Sequence, residues 1–200
     1  LKASSYILIS GGTFTIDSSD DAIHSNGTVS ITDGEFAIKS GDDGIHADTD
    51  LGISGGVIHI TKSYEGIEAS KLVISGGNID LIASDDGLNA AGGNDGSSMS
   101  GRPGMGSFSR TSGEIIISGG YLLVNASGDG IDSNGTVTVS GGVTLVTGPT
   151  NSGNGALDYE SSATVTGGVL IALGASGMAT GFTSAENQGA IFCSFSTQSA

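Results

Sequence analysis

The sequence predicts an all-β fold, a parallel β-helix (β-solenoid) of about seven coils with roughly 22 residues per coil. The first observation is a repeated Ser-Gly-Gly triplet or close variant, with successive copies 22, 22, 21, 43, 22 and 26 residues apart. The second is an alternation of aliphatic and variable residues around each copy. The third is the composition, with 36 Gly but only 2 Pro, which favours many tight turns. The triplets start at Ser10, Thr32, Ser54, Ser75, Ser118, Ser140 and Thr166.

Two predicted strands flank each triplet. Their aliphatic residues lie at every second position, so one face of each strand is expected to point inward. The position directly before the triplet holds Ile9, Ile31, Ile53, Ile74, Ile117, Val139 and Val165. The first such position after it holds Phe14, Phe36, Ile58, Ile79, Leu122, Thr144 and Leu170.

A third predicted strand lies in a segment written "DDGIHA" in the second coil. Its inward position holds Ile23, Ile45, Ile67, Leu88, Ile131 and Leu157. Three short strands per coil, broken by glycine turns, would close into a triangle. Because one coil cannot bury its own aliphatic residues, stacked coils are needed to form one continuous core.

Two parts of the chain depart from the repeat. Residues 92–112 carry no strand periodicity and predict a loop extruded from the fourth coil, either a plain loop or a cover over a substrate. Residues 181–200 are predicted to be a cap or the start of a following segment, and residues 1–180 the β-helix. The chain lacks an initiating Met, so we expect it to be part of a longer chain or assembly.

Charge and composition limit the partners of the chain. Six basic residues face 21 acidic ones, for a net charge of −15, so nucleic acid and anionic lipid are poor candidates. No stretch is long and apolar enough to span a membrane. The single Cys193 excludes an intrachain disulfide framework. Divalent cations, and anionic polymers held through them, remain suitable partners.

Acidic residues recur at fixed positions of the third-strand segment. In a solenoid, equivalent positions lie above one another, so these residues predict a ridge of oxygen ligands down one edge. One file comprises Asp20, Asp42 and Asp85; a second comprises Asp21, Asp43, Glu65, Asp86 and Asp129; a third, expected to point outward, comprises His24, His46, Glu68, Asn89, Asp132 and Asp158.

This ridge predicts bound Ca²⁺. Stacked carboxylates about 5 Å apart repel by roughly 3 kcal/mol per pair at an effective dielectric constant near 20, and a cation reverses the sign. Oxygen ligands with flexible geometry favour Ca²⁺ over transition metals. The alternative is that Asp-Gly turns are common and stay solvated. For His24 and His46 we expect outward polar roles or support of ligands, because no Cys or third His joins them.

The chain up to about residue 180 resembles the calcium-binding, carbohydrate-binding β-helix proteins of clostridial cell surfaces, which are similar in shape to family 9 pectate lyases. The resemblance rests on "SGDDGIHAD", on "LVISGGNIDLIASDDGLNAAGG" and on the "GRPG" insertion that follows it. It implies a secreted, right-handed parallel β-helix that binds Ca²⁺ and plant cell-wall polysaccharide, including polygalacturonate.

The resemblance also implies where calcium would bind, because the lyases carry a site of the form Asp-Asp-x-x-Asp. Partial matches in this sequence are Asp42-Asp43 with His46, Asp85-Asp86 with Asn89, and Asp129 with Asp132. The implied location is outside a bacterial cell.

Three functions remain open from the sequence. The favoured one is a non-catalytic module in which Ca²⁺ bridges the acidic rod to an acidic polysaccharide, with sugar contacts from Tyr64, Tyr121, Tyr159, Lys39 and Lys62. A pectate-lyase-like enzyme needs a strong base beside calcium, for which Lys39 and Lys62 are the candidates. A calcium-stiffened strut or adhesive stalk would bind no sugar.

Overall fold

The computed structural model, which describes residues 1–90 and 112–196, is a β-solenoid built almost entirely from parallel strands. The predicted loop at 92–112 therefore lies outside the described residues except for Ser112. No helix of the described residues is long and apolar enough to cross a membrane. The strands are β1 Lys2–Ala3, β2 Tyr6–Asp17, β3 Ile23–Ser25, β4 Thr28–Lys39, β5 Ile45–Ile53, β6 Val57–Lys62, β7 Ile67–Ala83, β8 Leu88–Ala90, β9 Glu114–Ala126, β10 Ile131–Ser133, β11 Thr136–Thr147, β12 Asp158–Tyr159, β13 Ser162–Leu173 and β14 Ser184–Ala185.

The predicted coil period is confirmed by the register of the strands. Ile9 pairs with Ile31, 22 residues later, and Ile74 pairs with Ile117 across the longer 43-residue interval. The same inward file continues to Val139 and Val165. Each coil therefore lies directly on the preceding one, as the repeated triplet predicts.

The Ser-Gly-Gly turn bends a strand without ending it, which differs from the predicted break. β2, β4, β7, β9, β11 and β13 each run through a triplet, with a register shift at the turn. In the fourth coil, Gly77 has a φ of +93°, which side chains rarely adopt, and a Cβ on Gly76 would collide with the carbonyl oxygen of Ser54. The two glycines thus let the chain turn sharply while the coils keep their hydrogen bonds.

The core is one column of aliphatic side chains along the solenoid axis. The predicted inward residues are buried in the middle coils, while Ile7, Phe14, Ile16 and Leu170 are only partly buried because they lie in the end coils. The rings of Phe14 and Phe36 stack with centroids 4.9 Å apart. Buried area of this kind supplies roughly 25 cal/mol per Å², so the column is the main source of stability.

One position of this column holds a polar side chain. Thr144 pairs in register with Leu122 and Leu170, and its buried hydroxyl has no hydrogen-bond partner within the described residues. Replacing Thr144→Val keeps the side-chain shape and removes the unpaired hydroxyl. We expect this variant to be more stable by about 1 kcal/mol in denaturant unfolding. The half-buried, outward-facing Thr138→Val is its control, and equal gains at both positions would contradict the prediction.

Candidate functional site

The acidic residues gather along one edge of the solenoid, formed in each coil by the third strand and the turn before it; we call this the acidic edge. The backbone register places one residue of each coil in a continuous file along it. That file is His24, His46, Glu68, Asn89, Asp132 and Asp158, in the order in which the coils stack.

The first four residues of the file are buried, although the sequence predicts that they point outward, and Asp132 and Asp158 are half-buried. His46 is completely buried, and His24, Glu68 and Asn89 are each at most 7% exposed. The side chains do alternate away from the aliphatic core, but their neighbours in the file and the carboxylates of the turn cover them. Charge on this edge is therefore much less screened than charge on an open surface.

His46 is an internal cation of the second and third coils. Its Nδ1 lies 3.0 Å from Asp43 and 2.8 Å from Glu68, and its Nε2 lies 3.1 Å from Asp48. Burial by itself lowers the pKa of His46, but the hydrogen bonds to Asp43 and Glu68 outweigh it and raise the pKa to about 11. The imidazole is therefore protonated at neutral pH and compensates these carboxylates.

Asp48 is a member of this network that sequence reasoning missed as a site residue. The signal for it was present in "HAD", because a residue two positions after His46 lies on the same side of the strand.

His24 has a similar but incomplete environment in the first coil. Its Nδ1 lies 2.5 Å from Asp21, while its buried Nε2 has no partner among the described residues. The rings of His24 and His46 stack 4.9 Å apart and only 10° from parallel. Ligand-type atoms of Asp21, His24 and His46 lie within 4.8 Å of one another, but both ring nitrogens of His46 already face carboxylates. This geometry favours supporting roles for both histidines over joint ligation of zinc.

The aspartates also join consecutive coils, a role that was not predicted from the sequence. One carboxylate oxygen of each accepts a hydrogen bond from the backbone N–H of the next coil. These bonds run from Asp43 N to Asp21, from Glu65 N to Asp43, from Asp129 N to Asp86 and from Gly155 N to Asp129, at 2.5–3.3 Å. The second oxygens of Asp21 and Asp43 face His24 and His46.

The fourth and fifth coils hold a cluster of carboxylates without an internal cation. Ligand-type oxygens of Asp86, Asp129 and Asp132 lie within 4.8 Å of one another. Burial, then the charges of nearby carboxylates such as Asp85 and Asp158, raise the pKa values of Asp86 and Asp132 to about 7. Within the described residues no Lys, Arg or His makes an ion pair with this cluster. We call it the carboxylate cluster.

Asn89 adds an unpaired oxygen next to the carboxylate cluster. Its side chain is 4% exposed, and its register partner on the next coil is Asp132. The amide nitrogen donates to Glu65 on the preceding coil at 2.7 Å, while the buried Oδ1 accepts no hydrogen bond within the described residues. A buried acceptor without a donor is costly. A cation bound beside Asp132 would satisfy it.

The other predicted metal ligands lie along the same edge. Asp20 is exposed and Asp42 half-buried, and their oxygens come within 4.8 Å of Asp21. Burial, followed by the charges of Glu68 and Asp43, raises the pKa of Glu65 to about 10. Asp158 borders the carboxylate cluster as the register partner of Asp132.

The five predicted sugar contacts do not form one surface. Lys39 and Lys62 are exposed neighbours in register, and neither forms an ion pair within the described residues. Tyr64 is exposed beside them, and a hydrogen bond to Asp85 raises the pKa of its hydroxyl. Tyr121 is exposed on the outward face of the second strand of the fifth coil.

Tyr159 is less suited to stacking on a sugar than the sequence suggested. Its ring packs against the core, and its hydroxyl donates to the carbonyl of Gly181 at 2.6 Å.

The comparisons with known proteins give a family. A family model described as "Carbohydrate-binding domain-containing protein" matches residues 1–44 and 42–191, which is most of the chain. No curated protein and no solved structure matches the sequence. On the extent of this match, the chain belongs to the family of carbohydrate-binding domain-containing proteins.

Proposed function

We propose that the protein is a non-catalytic module that binds plant cell-wall or acidic polysaccharide, such as cellulose or polygalacturonate, with Ca²⁺ required for the acidic polymer. Membership of a carbohydrate-binding family supports the class of ligand. The observation that carries the calcium requirement is the buried, unpaired Oδ1 of Asn89 beside three carboxylates. We further propose that the module acts outside a bacterial cell, where such polymers occur, as part of a longer extracellular chain or assembly.

The proposed calcium site is the carboxylate cluster with Asn89. All its donors are oxygens, which Ca²⁺ prefers, and they come from consecutive coils, so the fold itself brings them together. The second and third coils have less need of a metal ion, since His46 already supplies a positive charge there. This contrast favours the fourth to sixth coils over the "SGDDGIHAD" segment.

Bound calcium would allow the acidic chain to bind an acidic polysaccharide that it otherwise repels. The chain carries a net charge of −15, and a polyuronate carries one carboxylate on each sugar. Lys39, Lys62 and Tyr64 lie along the rod on coils that precede the proposed ion site. At about 4.8 Å per coil, the second to sixth coils span roughly 20 Å. A polymer lying along the axis would meet the lysines first and the ion next.

The positions of the lysines support a binding role over lyase chemistry. A lyase needs its base beside the metal-bound uronate. Lys39 and Lys62 end the second strand of their coils, whereas the corresponding residues beside the carboxylate cluster are Ile82, Asn125 and Thr147. None of these three can accept a proton as a strong base.

The test is titration calorimetry with polygalacturonate in calcium and again in excess chelator, followed by an assay for unsaturated sugar products. We expect binding in calcium, none in chelator and no product. Asp132→Asn should lose the calcium-dependent binding, while Asp17→Asn, an exposed acid elsewhere, should retain it. Joint replacement of Lys39 and Lys62 by Ala should weaken binding, with Lys71→Ala as control because Lys71 is paired with Glu114.

Each other result of this test has a defined meaning. Product formation would make the protein a lyase. Absence of heat in both buffers, with the fold intact, would overturn acidic-sugar binding and leave the structural strut.

The raised pKa values predict a pH dependence of calcium binding. Asp86 and Asp132 have pKa values of about 7 in the folded chain, against an ordinary value of 3.8, so the chelated protein should lose stability as pH rises from about 4 to about 7. Calcium needs the ionised carboxylates, so its affinity should increase over the same range, with release of protons. Calorimetry in buffers of different ionisation enthalpy measures this release. An affinity that does not change between pH 5 and 7.5 would contradict the prediction.

A further inference from the structure

The second strands of the fifth, sixth and seventh coils present two neighbouring outward files of residues that are entirely apolar. Tyr121, Val143 and Val169 are neighbours in register, and so are Leu123, Leu145 and Ile171. Four of the six side chains are more than 40% exposed. We call these six residues the apolar face. The core does not account for them, because the alternate residues of the same strands point inward.

The apolar face begins abruptly at one coil boundary. In the first four coils the same outward positions carry mostly polar or charged residues: Thr13, Thr15, Glu35, Ala37, Val57, His59, Asn78 and Asp80. In register, Asp80 is followed by Leu123. One face of the solenoid is thus divided into a polar half and an apolar half, although the backbone is the same in both.

The dimensions and charge of the apolar face restrict what can cover it. Three coils and three residues of strand give an area of about 14 by 10 Å. This is far below the roughly 800 Å² per partner that a stable protein interface buries. No outward side chain of these strands within 121–125, 143–147 and 169–173 is charged at neutral pH, in a chain of net charge −15. A narrow, uncharged occupant fits these dimensions and this lack of charge.

We propose that the apolar face binds the flat, C–H-rich side of a neutral β-linked glucan chain, without calcium. This inference rests on the proposed carbohydrate-binding function and assigns the neutral ligand to a surface of its own. Sugar rings in such a chain expose C–H groups on both sides, and these pack on an aromatic ring and on aliphatic side chains. Tyr121 supplies the ring and the aliphatic residues of the next two coils extend the platform. Acidic polysaccharide remains the ligand of the acidic edge, at a different side of each coil.

The probe is cellulose powder, a neutral β-linked glucan. The experiment measures the fraction of the full chain that the powder retains from solution, once in calcium and once in chelator. We expect equal retention in both buffers. Replacing Tyr121 and Ile171 by Thr should lower the affinity for cellulose about tenfold or more, or about 1.4 kcal/mol. The first coil carries Thr13 and Thr15 at these positions, so the fold tolerates the change. The control is Tyr6→Thr, an equally exposed Tyr outside the apolar face.

Different experimental results would contradict the calcium-bridged function and the apolar-face assignment. Absent retention of the parent chain on cellulose, loss of retention in chelator, or an equal loss for Tyr6→Thr would each overturn the apolar-face assignment, whatever polygalacturonate does. A dimer in sedimentation that the double variant dissociates would also overturn it, because a second copy would then cover the face. Retention on cellulose together with no polygalacturonate binding in calcium would leave the apolar face standing and defeat the calcium-bridged function.

Discussion

Replacing His46→Asn is expected to destabilise the folded chain by about 3–5 kcal/mol at pH 7, because it removes the cation from a buried set of carboxylates. Asn is compatible with the backbone here, since Asn89 occupies the same file in the fourth coil. The substitution leaves Asp43 and Glu68 buried with no charge to compensate them. Urea unfolding followed by circular dichroism measures the loss.

A matched control separates charge from simple truncation. His59 is half exposed, and its Nδ1 lies 3.8 Å from Asp80, so His59→Asn should cost less than about 1 kcal/mol. The loss at His46 should also shrink at low pH, because burial raises the pKa of Glu68 and its protonation removes the unpaired charge. Equal losses at the two positions, or a loss at His46 that is the same at pH 4 and pH 7, would contradict the role of His46 as an internal cation.

Saturating calcium is expected to produce the second large effect. Free calcium at a hundred times its dissociation constant should stabilise the chain by about 2.7 kcal/mol, because the unfolded chain lacks the assembled ligands. Calorimetric unfolding in calcium and in chelator measures this gain. Asn89→Ala should abolish most of it by removing the buried oxygen that the ion satisfies.

The control for this prediction is Asp17→Asn, which changes an exposed acid outside the carboxylate cluster and should retain the gain. Equal stability with and without calcium for the parent chain would contradict the proposed site. A gain that persists in Asp132→Asn would place the ion elsewhere on the acidic edge.

The fold follows from the sequence because its periods are long-range and regular. Spacing of the triplets predicts which residues pair, and Ile74 with Ile117 shows that it does so even across an insertion. The continuous strand through each turn could not be predicted in this way. Gly in a sequence signals a turn, but whether backbone pairing continues on both sides depends on the coils above and below it.

The candidate site was predictable in position but not in environment. Period-two alternation places His46 and Asn89 away from the core, and it does so correctly. It cannot show that neighbouring carboxylates cover these side chains, because that burial arises from coils 21 to 43 residues distant. For the same reason, the sequence does not predict the unpaired oxygen of Asn89. Nor does it predict that His46 neutralises the carboxylates around it while the carboxylate cluster has no such cation.

The hydrogen bonds from the aspartates to the backbone of the next coil have a consequence for how such a rod can change in length. The acceptor belongs to one coil, and the donor is a peptide N–H, which every coil offers at the same place whatever its side chains are. A duplication or deletion of one complete coil would therefore join an existing acceptor to a new donor with no bond lost. Extra residues within a coil keep that match when they loop out of it, since the bond from Gly155 N to Asp129 spans 26 residues and the bond from Asp129 N to Asp86 spans 43. Chains of this kind can therefore change in length by whole coils, or by loops within a coil, without losing the bonds between coils.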